Sequence, residues 1–279
     1  MSSSSPLRAL HLCADDYGLR PGLSRCIAEL AARGRLSALS CLSNAEHWAA
    51  AAADLRALPS SVEIGLHFNL SECRPASAAL RAVWPQLPQL PRLIAAAHLH
   101  RLPLAAIEDE LAAQWRAFVD AHGRQPDFID GHQHVHHLPG VRELVLAAAA
   151  RCGVAVRNTG RVLGPGWALK RWLIAHTGGT RLQAALQARG LRHNTVLLGA
   201  YDFVASDYRA LMRAWLAQVP AQGALLFCHP GHGDAGLADA IGAAREREAA
   251  YLSSDAFAED LAEADVTLSP SWVRSSSGG

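Results

Sequence analysis

The sequence predicts an α/β fold: one (β/α) barrel of parallel strands wrapped by helices. Strand-like and helix-like segments alternate along all 279 residues without a linker or a break in composition, the pattern of a parallel sheet covered by helices. About seven such units occur, enough to close a barrel, and no Gly-x-Gly-x-x-Gly marks a dinucleotide fold. Half the residues are hydrophobic and 18% are charged, which supplies one large core for a single domain over 1–279.

Taken in order, the first strand is Leu7–Ala14, apolar until it meets Asp15-Asp16-Tyr17-Gly18. Behind Pro21, residues Leu23, Ile27 and Leu30 recur at helical spacing and stop at Gly34. Leu36–Leu42 reads as a second strand, Asn44–Leu58 as a helix ended by Pro59, and Val62–Phe68 as a third strand with His67 near its end. Residues 74–103 hold five prolines, so they read as an insertion or lid on an ordered barrel of about 7–265. A helix over 104–121, with Ile107, Leu111 and Trp115 on one face, ends at Gly123. The fourth strand, Asp127–Asp130, runs into Gly131-His132-Gln133-His134-Val135-His136-His137. Val141–Arg151 is helical and Val154–Arg157 is a short strand, whereas 159–194 shows no clean period. A helix over 206–219 leads to the strand Ala224–Cys228 and then His229-Pro230-Gly231-His232. Helices over 235–252 and 256–264 follow, and the Ser/Gly-rich stretch 274–279 is expected to be disordered.

Composition excludes several classes. A net charge of +1 with scattered Lys and Arg lacks the footprint of a nucleic-acid binder. No run of about 18 apolar residues suits an integral membrane segment, and the first residues carry no basic-then-apolar leader, so a cytoplasmic location is expected. The six cysteines (Cys13, Cys26, Cys41, Cys73, Cys152, Cys228) are far apart with no Cys-x-x-Cys, which predicts buried thiols in a reducing compartment. A homodimer is left open.

The chemistry is expected where strands end, because the C-terminal strand ends of a barrel converge on one face. Four of them carry polar, metal-capable groups: Asp15-Asp16, His67, the run Asp130–His137, and His229 to His232. Adjacent carboxylates repel unless a cation or proton separates them, so one Asp is read as ligating a cation while its neighbour takes a proton from water; the plain alternative is a helix cap. A lone His67 would more often be a core residue, but its place at a strand terminus favours a ligand. His132, nearest its strand, is the better ligand of the His run. Asp130 and His134 suit supporting or substrate roles, since ligating histidines pass their second ring proton to a carboxylate or carbonyl. His137, at the end of the run, is expected in solvent. His229 could protonate a leaving amine or merely hold the Pro-Gly turn. Arg157 could grip substrate oxygens or pair with a catalytic carboxylate. Two histidines and one carboxylate suit a single divalent ion, Zn²⁺ or a more oxygen-loving one such as Mg²⁺, with open positions for water and substrate.

Ala14-Asp15-Asp16-Tyr17-Gly18, Gly65-Leu66-His67-Phe68-Asn69-Leu70, Asp130-Gly131-His132-Gln133-His134-Val135-His136 and Cys228-His229-Pro230-Gly231 together resemble the YdjC-like carbohydrate deacetylases. That group includes chitooligosaccharide deacetylases and hopanoid-biosynthesis-associated deacetylases. The resemblance spans about residues 8–265. It implies a deformed barrel related to polysaccharide deacetylases, a divalent metal on Asp16, His67 and His132, Asp15 as general base and His229 as candidate acid. The implied reaction is removal of an N-acetyl group from an amino sugar that is free, oligomeric, nucleotide-linked or lipid-linked. Tyr17 stands where Phe is common and Phe68 where Leu is common; neither touches this chemistry. Two other readings stand beside it. One is a metal hydrolase of another amide, ester or phosphoester, the last disfavoured by the lack of a Lys/Arg cluster at these strand ends; the other is a non-catalytic sugar-binding protein.

Overall fold

The computed structural model describes residues 7–234 and 238–274. Its elements are β1 (Arg8–Tyr17), α1 (Pro21–Ala32), β2 (Ala38–Cys41), α2 (Trp48–Ala51), β3 (Glu63–Phe68), α3 (Ala78–Val83), α4 (Leu90–His98), α5 (Leu104–His122), β4 (Phe128–Gly131) and α6 (Val141–Cys152). Then come β5 (Ala155–Val156), α7 (Ala168–Ile174), α8 (Thr180–Ala188), β6 (Leu197–Leu198), α9 (Tyr208–Leu216), β7 (Ala224–Cys228), α10 (Gly242–Ser253), α11 (Asp255–Glu263) and β8 (Val266–Leu268).

All strand pairs are parallel, in the order β5-β4-β3-β2-β1-β7-β6, with β8 added alongside β1. Among the described residues the two outer strands, β5 and β6, form no ladder with each other; each makes a single bridge to chain outside the other strand, Val156 of β5 to His193 and Leu197 of β6 to Val162. The sheet is therefore a curled barrel whose last seam is not a ladder, and the fold class matches the expectation.

Side-chain alternation sorts the core into two parts. Leu10, Leu12 and Ala14 of β1 pack outward with the helices, while Cys13 joins Ala38, Phe128, Ala155, Leu197, Leu225 and Phe227 inside the barrel. Gly65 is needed in β3 because the Phe128 ring lies against it; a Cβ there would come within 2.3 Å of ring carbons. The floor of the barrel is closed by aromatic contacts. His11 lies edge-on to Trp272 and Phe128, at 4.6 and 5.9 Å between centroids, and the Trp272 indole donates to Glu63 Oε2 at 2.6 Å.

Several expectations need correction. The helix expected over Asn44–Leu58 is only the single turn α2 followed by a 3₁₀ turn, Asp54–Ala57. The first strand runs on through Tyr17, so Asp15 and Asp16 lie within it rather than beyond it. Residues 74–103 form α3, capped by the Ser77 hydroxyl accepting from the Leu80 N–H, and α4. The unperiodic stretch 159–194 contains α7 and α8 joined by a π-type turn over Ala175–Gly179. Strands β6 and β8, of two and three residues, carry too few positions to show a period. The helix expected from residue 235 begins at Gly242; residues 235–237 and the expected disorder of 275–279 lie outside the described residues. Cys152 is exposed and Cys73 half-buried, unlike the other four cysteines. Among the described residues no helix is long and apolar enough to cross a membrane.

Candidate active site

The strand ends meet at the mouth of a cavity of about 600 Å³. Asp15, Asp16, His67, His132, His134 and His229 all line it. Its further walls are largely apolar, with Leu90 and Ile94 from α4, Leu173 and Ile174 from α7, and Phe203 and Phe227. The segment expected as an insertion or lid thus contributes one wall.

Consecutive residues of a strand face opposite ways, and this separates the two aspartates. Asp15 points into the barrel, where both its oxygens accept from Arg157, Oδ2 from Nη1 at 2.7 Å and Oδ1 from Nη2 at 2.6 Å. Asp16 has a left-handed backbone (φ 68°), a conformation Asp tolerates better than most residues. Its Oδ1 lies 3.0 Å from His132 Nδ1 and 3.6 Å from His67 Nε2, and its Oδ2 accepts from Arg245 Nη2 at 2.8 Å. Burial opposes charge on Asp16, but Arg245 and His132 overcome it and hold the carboxyl well below the usual range.

The histidines are braced from behind. His67 Nδ1 donates to Asp130 Oδ1 at 2.6 Å, and Ser40 Oγ donates to the same oxygen at 2.6 Å. Asp130 Oδ2 pairs with Arg157 at 2.6 Å. Burial would raise this carboxyl, yet Arg157 and then His67 keep it well below its usual range. Arg157, fully buried, is therefore the hub joining Asp15 to Asp130 and hence to His67. The cluster Cys13, Asp15 and Asp130 encloses this guanidinium; Cys13 Sγ also accepts from it at 3.2 Å. His132 Nε2 pairs with Glu72 at 2.7 Å. Burial lowers the His132 imidazole, but the carboxylates of Asp16 and Glu72 raise it to about 10.

Asp16, His67 and His132 are buried and offer donor atoms all within 4.8 Å of one another. Ligands at about 2.0–2.2 Å from one tetrahedral ion stand about 3.3 Å apart. The 3.0 and 3.6 Å separations bracket that value, so this donor set fits a divalent ion.

The His run does not continue β4. Residues 132–137 form a tight turn in which Gln133 and His134 adopt left-handed backbone, φ 51° and 62°. Gly131 permits it: a Cβ there would meet the His136 backbone nitrogen at 2.7 Å. His136 Nε2 donates to the Arg157 carbonyl at 2.9 Å. His137, expected in solvent, is buried, because its two ring nitrogens bond the hydroxyls of Thr159 and Thr177 at 2.9 and 3.0 Å and tie the run to the π-type turn. His134 lines the cavity with Nδ1 buried and unpartnered; burial, with His137 and His136 close by, holds it well below the ordinary histidine value.

His229 also lines the cavity. Its backbone N–H donates to Glu248 Oε2 at 2.6 Å, while its ring lies edge-on to Phe203 and Phe227 with Nδ1 unpartnered. Burial lowers the imidazole to about 4 despite the nearby Asp16 and Asp15, so it is neutral at pH 7. Ser40, Glu72, Arg245 and Glu248 were missed in the sequence. Ser40 had one readable sign, a hydroxyl at an inward position of an apolar strand; the others lie on a loop and on α10, whose approach depends on tertiary packing.

A family model described as YdjC-like protein matches residues 9–263. The chain belongs to the YdjC-like family. Proteins named chitooligosaccharide deacetylase from Salmonella schwarzengrund and Salmonella paratyphi B are each 34% identical to this YdjC-like chain over 157 residues, 54% of the chain and 59% of the relative. The chain thus spans less than two thirds of these curated relatives. A crystal structure from Enterococcus faecalis, titled as a cellobiose-phosphate cleavage protein, superposes with a TM-score of 0.75 at 22% identity. It covers 94% of this chain and 97% of its own, and at that identity it speaks for the fold alone.

Proposed function

We propose that the chain is a metal-dependent carbohydrate N-deacetylase, releasing acetate from an N-acetylated amino sugar. The observation that carries this reading is the division between the two aspartates: Asp16 shares one point with His67 and His132, while its neighbour Asp15 is turned onto Arg157. The named relatives support the sugar amide as the bond cleaved.

Asp16, His67 and His132 would hold one divalent ion, Zn²⁺ or Mg²⁺, which when bound polarises the amide carbonyl and acidifies water. Asp15 takes the proton from the attacking water, held in place by the two parallel hydrogen bonds from Arg157. Asp130 keeps the His67 Nδ1 proton and so leaves Nε2 toward Asp16. The proton that Asp15 takes is the one the departing nitrogen needs: His229, neutral at rest, accepts it from Asp15 and delivers it to that nitrogen as the C–N bond breaks. His134 contributes its imidazole to the cavity wall beside the substrate. Of the cations at the cavity, Arg157 is committed to Asp15 and Asp130 and Arg245 to Asp16 and Asp239, whereas Arg20 and Lys170 donate to the carbonyls of Ala238 and Tyr201.

The test is acetate release from N-acetylated sugars by chelator-stripped protein reloaded with single metals. Asp16→Asn should lose metal and activity together, whereas Asp15→Asn should keep the metal and lose about 10²–10⁴ in turnover. Equal metal loss in both variants would overturn the assignment.

A further inference from the structure

His67 and His132 are supported in different ways. The carboxylate behind His67 is Asp130, fully buried and fastened by Ser40 and Arg157. The carboxylate behind His132 is Glu72, whose side chain is 46% exposed at the cavity mouth, 2.7 Å from Nε2. Glu72 nevertheless sits in a built loop. Asn69 Oδ1 accepts from the N–H groups of Ser71 and Glu72, both at 3.0 Å, and Asn69 Nδ2 donates to the Glu72 carbonyl at 2.6 Å. Asn69 is itself clamped by Gln114, whose amide accepts from the Asn69 N–H at 3.0 Å and donates to its carbonyl at 2.7 Å. The backbone of Glu72 is thus fixed by α5, and its carboxylate makes a 2.7 Å ion-pair contact with His132 Nε2 that is not an aligned hydrogen bond.

We propose that Glu72 is a positioning residue of the metal centre: its carboxylate pairs with the His132 imidazole on the Nε2 side, keeps Nδ1 toward Asp16, and thereby sets how tightly the ion is bound. This rests on the metal-centre reading above. A carboxylate behind a ligating imidazole fixes both tautomer and ring orientation, and its loss costs about 10–100-fold in metal affinity. Because Glu72 borders the cavity, an arriving substrate can disturb the carboxylate behind His132, whereas the one behind His67, Asp130, is fully buried.

The experiment measures binding of Zn²⁺ and Co²⁺ to the full chain by chelator competition, with the visible absorption of bound Co²⁺ as a second readout. Glu72→Gln and Glu72→Ala should bind about 10–100-fold more weakly than wild type, with an unchanged Co²⁺ band shape and an unchanged metal-free Tm. Affinity within twofold of wild type in both variants would overturn the proposal. So would a loss as complete as that of Asp16→Asn with an altered Co²⁺ band, which would make Glu72 a ligand. A wild-type chain that takes up neither ion overturns the metal-centre reading itself and this proposal with it, so the two failures are distinguishable.

Discussion

Glu248 lies fully buried beneath the site, accepting from the His229 N–H at 2.6 Å and from the Tyr201 hydroxyl. Burial raises its carboxyl from 4.5 to about 7, against the opposing pull of those two donors and of Arg245. The folded state therefore holds this proton more tightly than the unfolded chain, and stability present below pH 4.5 is lost as the pH rises through about 7. At about 1.36 kcal/mol per pH unit, ionising Glu248 costs the folded state about 3 kcal/mol by pH 8 and under about 1 at pH 5. Glu248→Gln does not ionise, and its amide can still accept from the His229 N–H. With an unfolding entropy of about 2.1 cal/mol/K per residue, each kcal/mol shifts the Tm of a 279-residue chain by about 1.7 °C. The Tm of Glu248→Gln relative to wild type should thus climb by about 4–5 °C between pH 5 and pH 8. Thermal unfolding by circular dichroism, in chelator at both pH values, reads this directly. A Tm difference that does not change with pH would refute the reasoning.

Two further substitutions probe the barrel interior. Arg157→Met leaves Asp15 and Asp130 buried without their cation and should cost about 3–5 kcal/mol in urea unfolding, since breaking a buried ion pair strands the partner charge. A loss below about 1 kcal/mol would mean the network does not carry the energy its geometry implies. Gly65→Ala drives a methyl into the Phe128 ring, where a Cβ would lie 2.3 Å from ring carbons; overpacking of this kind costs about 1–3 kcal/mol. A wild-type urea midpoint for this variant would show that the ring can step aside.

What was legible in the sequence was what local pattern controls. Parallel strands buried on both sides read as apolar runs, and β3 and β7 sit where Val62–Phe68 and Ala224–Cys228 placed them. The polar groups at those ends converge, because a barrel topology brings Asp16, His67 and His132 together whatever their separation in sequence. Charged partners drawn in from elsewhere were not legible. Arg157 could be named only as a residue that pairs with a carboxylate or a substrate, and nothing local pointed to Arg245 on α10, 229 residues from its partner Asp16. His137 was misjudged because it ends a polar run, whereas the tight turn of residues 132–137 folds it back onto Thr159 and Thr177.

The placement of β1 also bears on how the chain acquires its structure. Synthesised before the other strands of the sheet, this strand lies between β2 and β7, with β8 added along its N-terminal end. One edge finds its neighbour within about two dozen residues, but the other waits for Ala224–Cys228. At about 5–20 residues per second of translation, that edge stays open for roughly 10–40 s. During this time an apolar run of unpaired backbone groups is available to other nascent chains, and pairing over such sequence separations is intrinsically slow. Yield in a heterologous host should therefore respond to chaperone supply and growth temperature more than to surface composition.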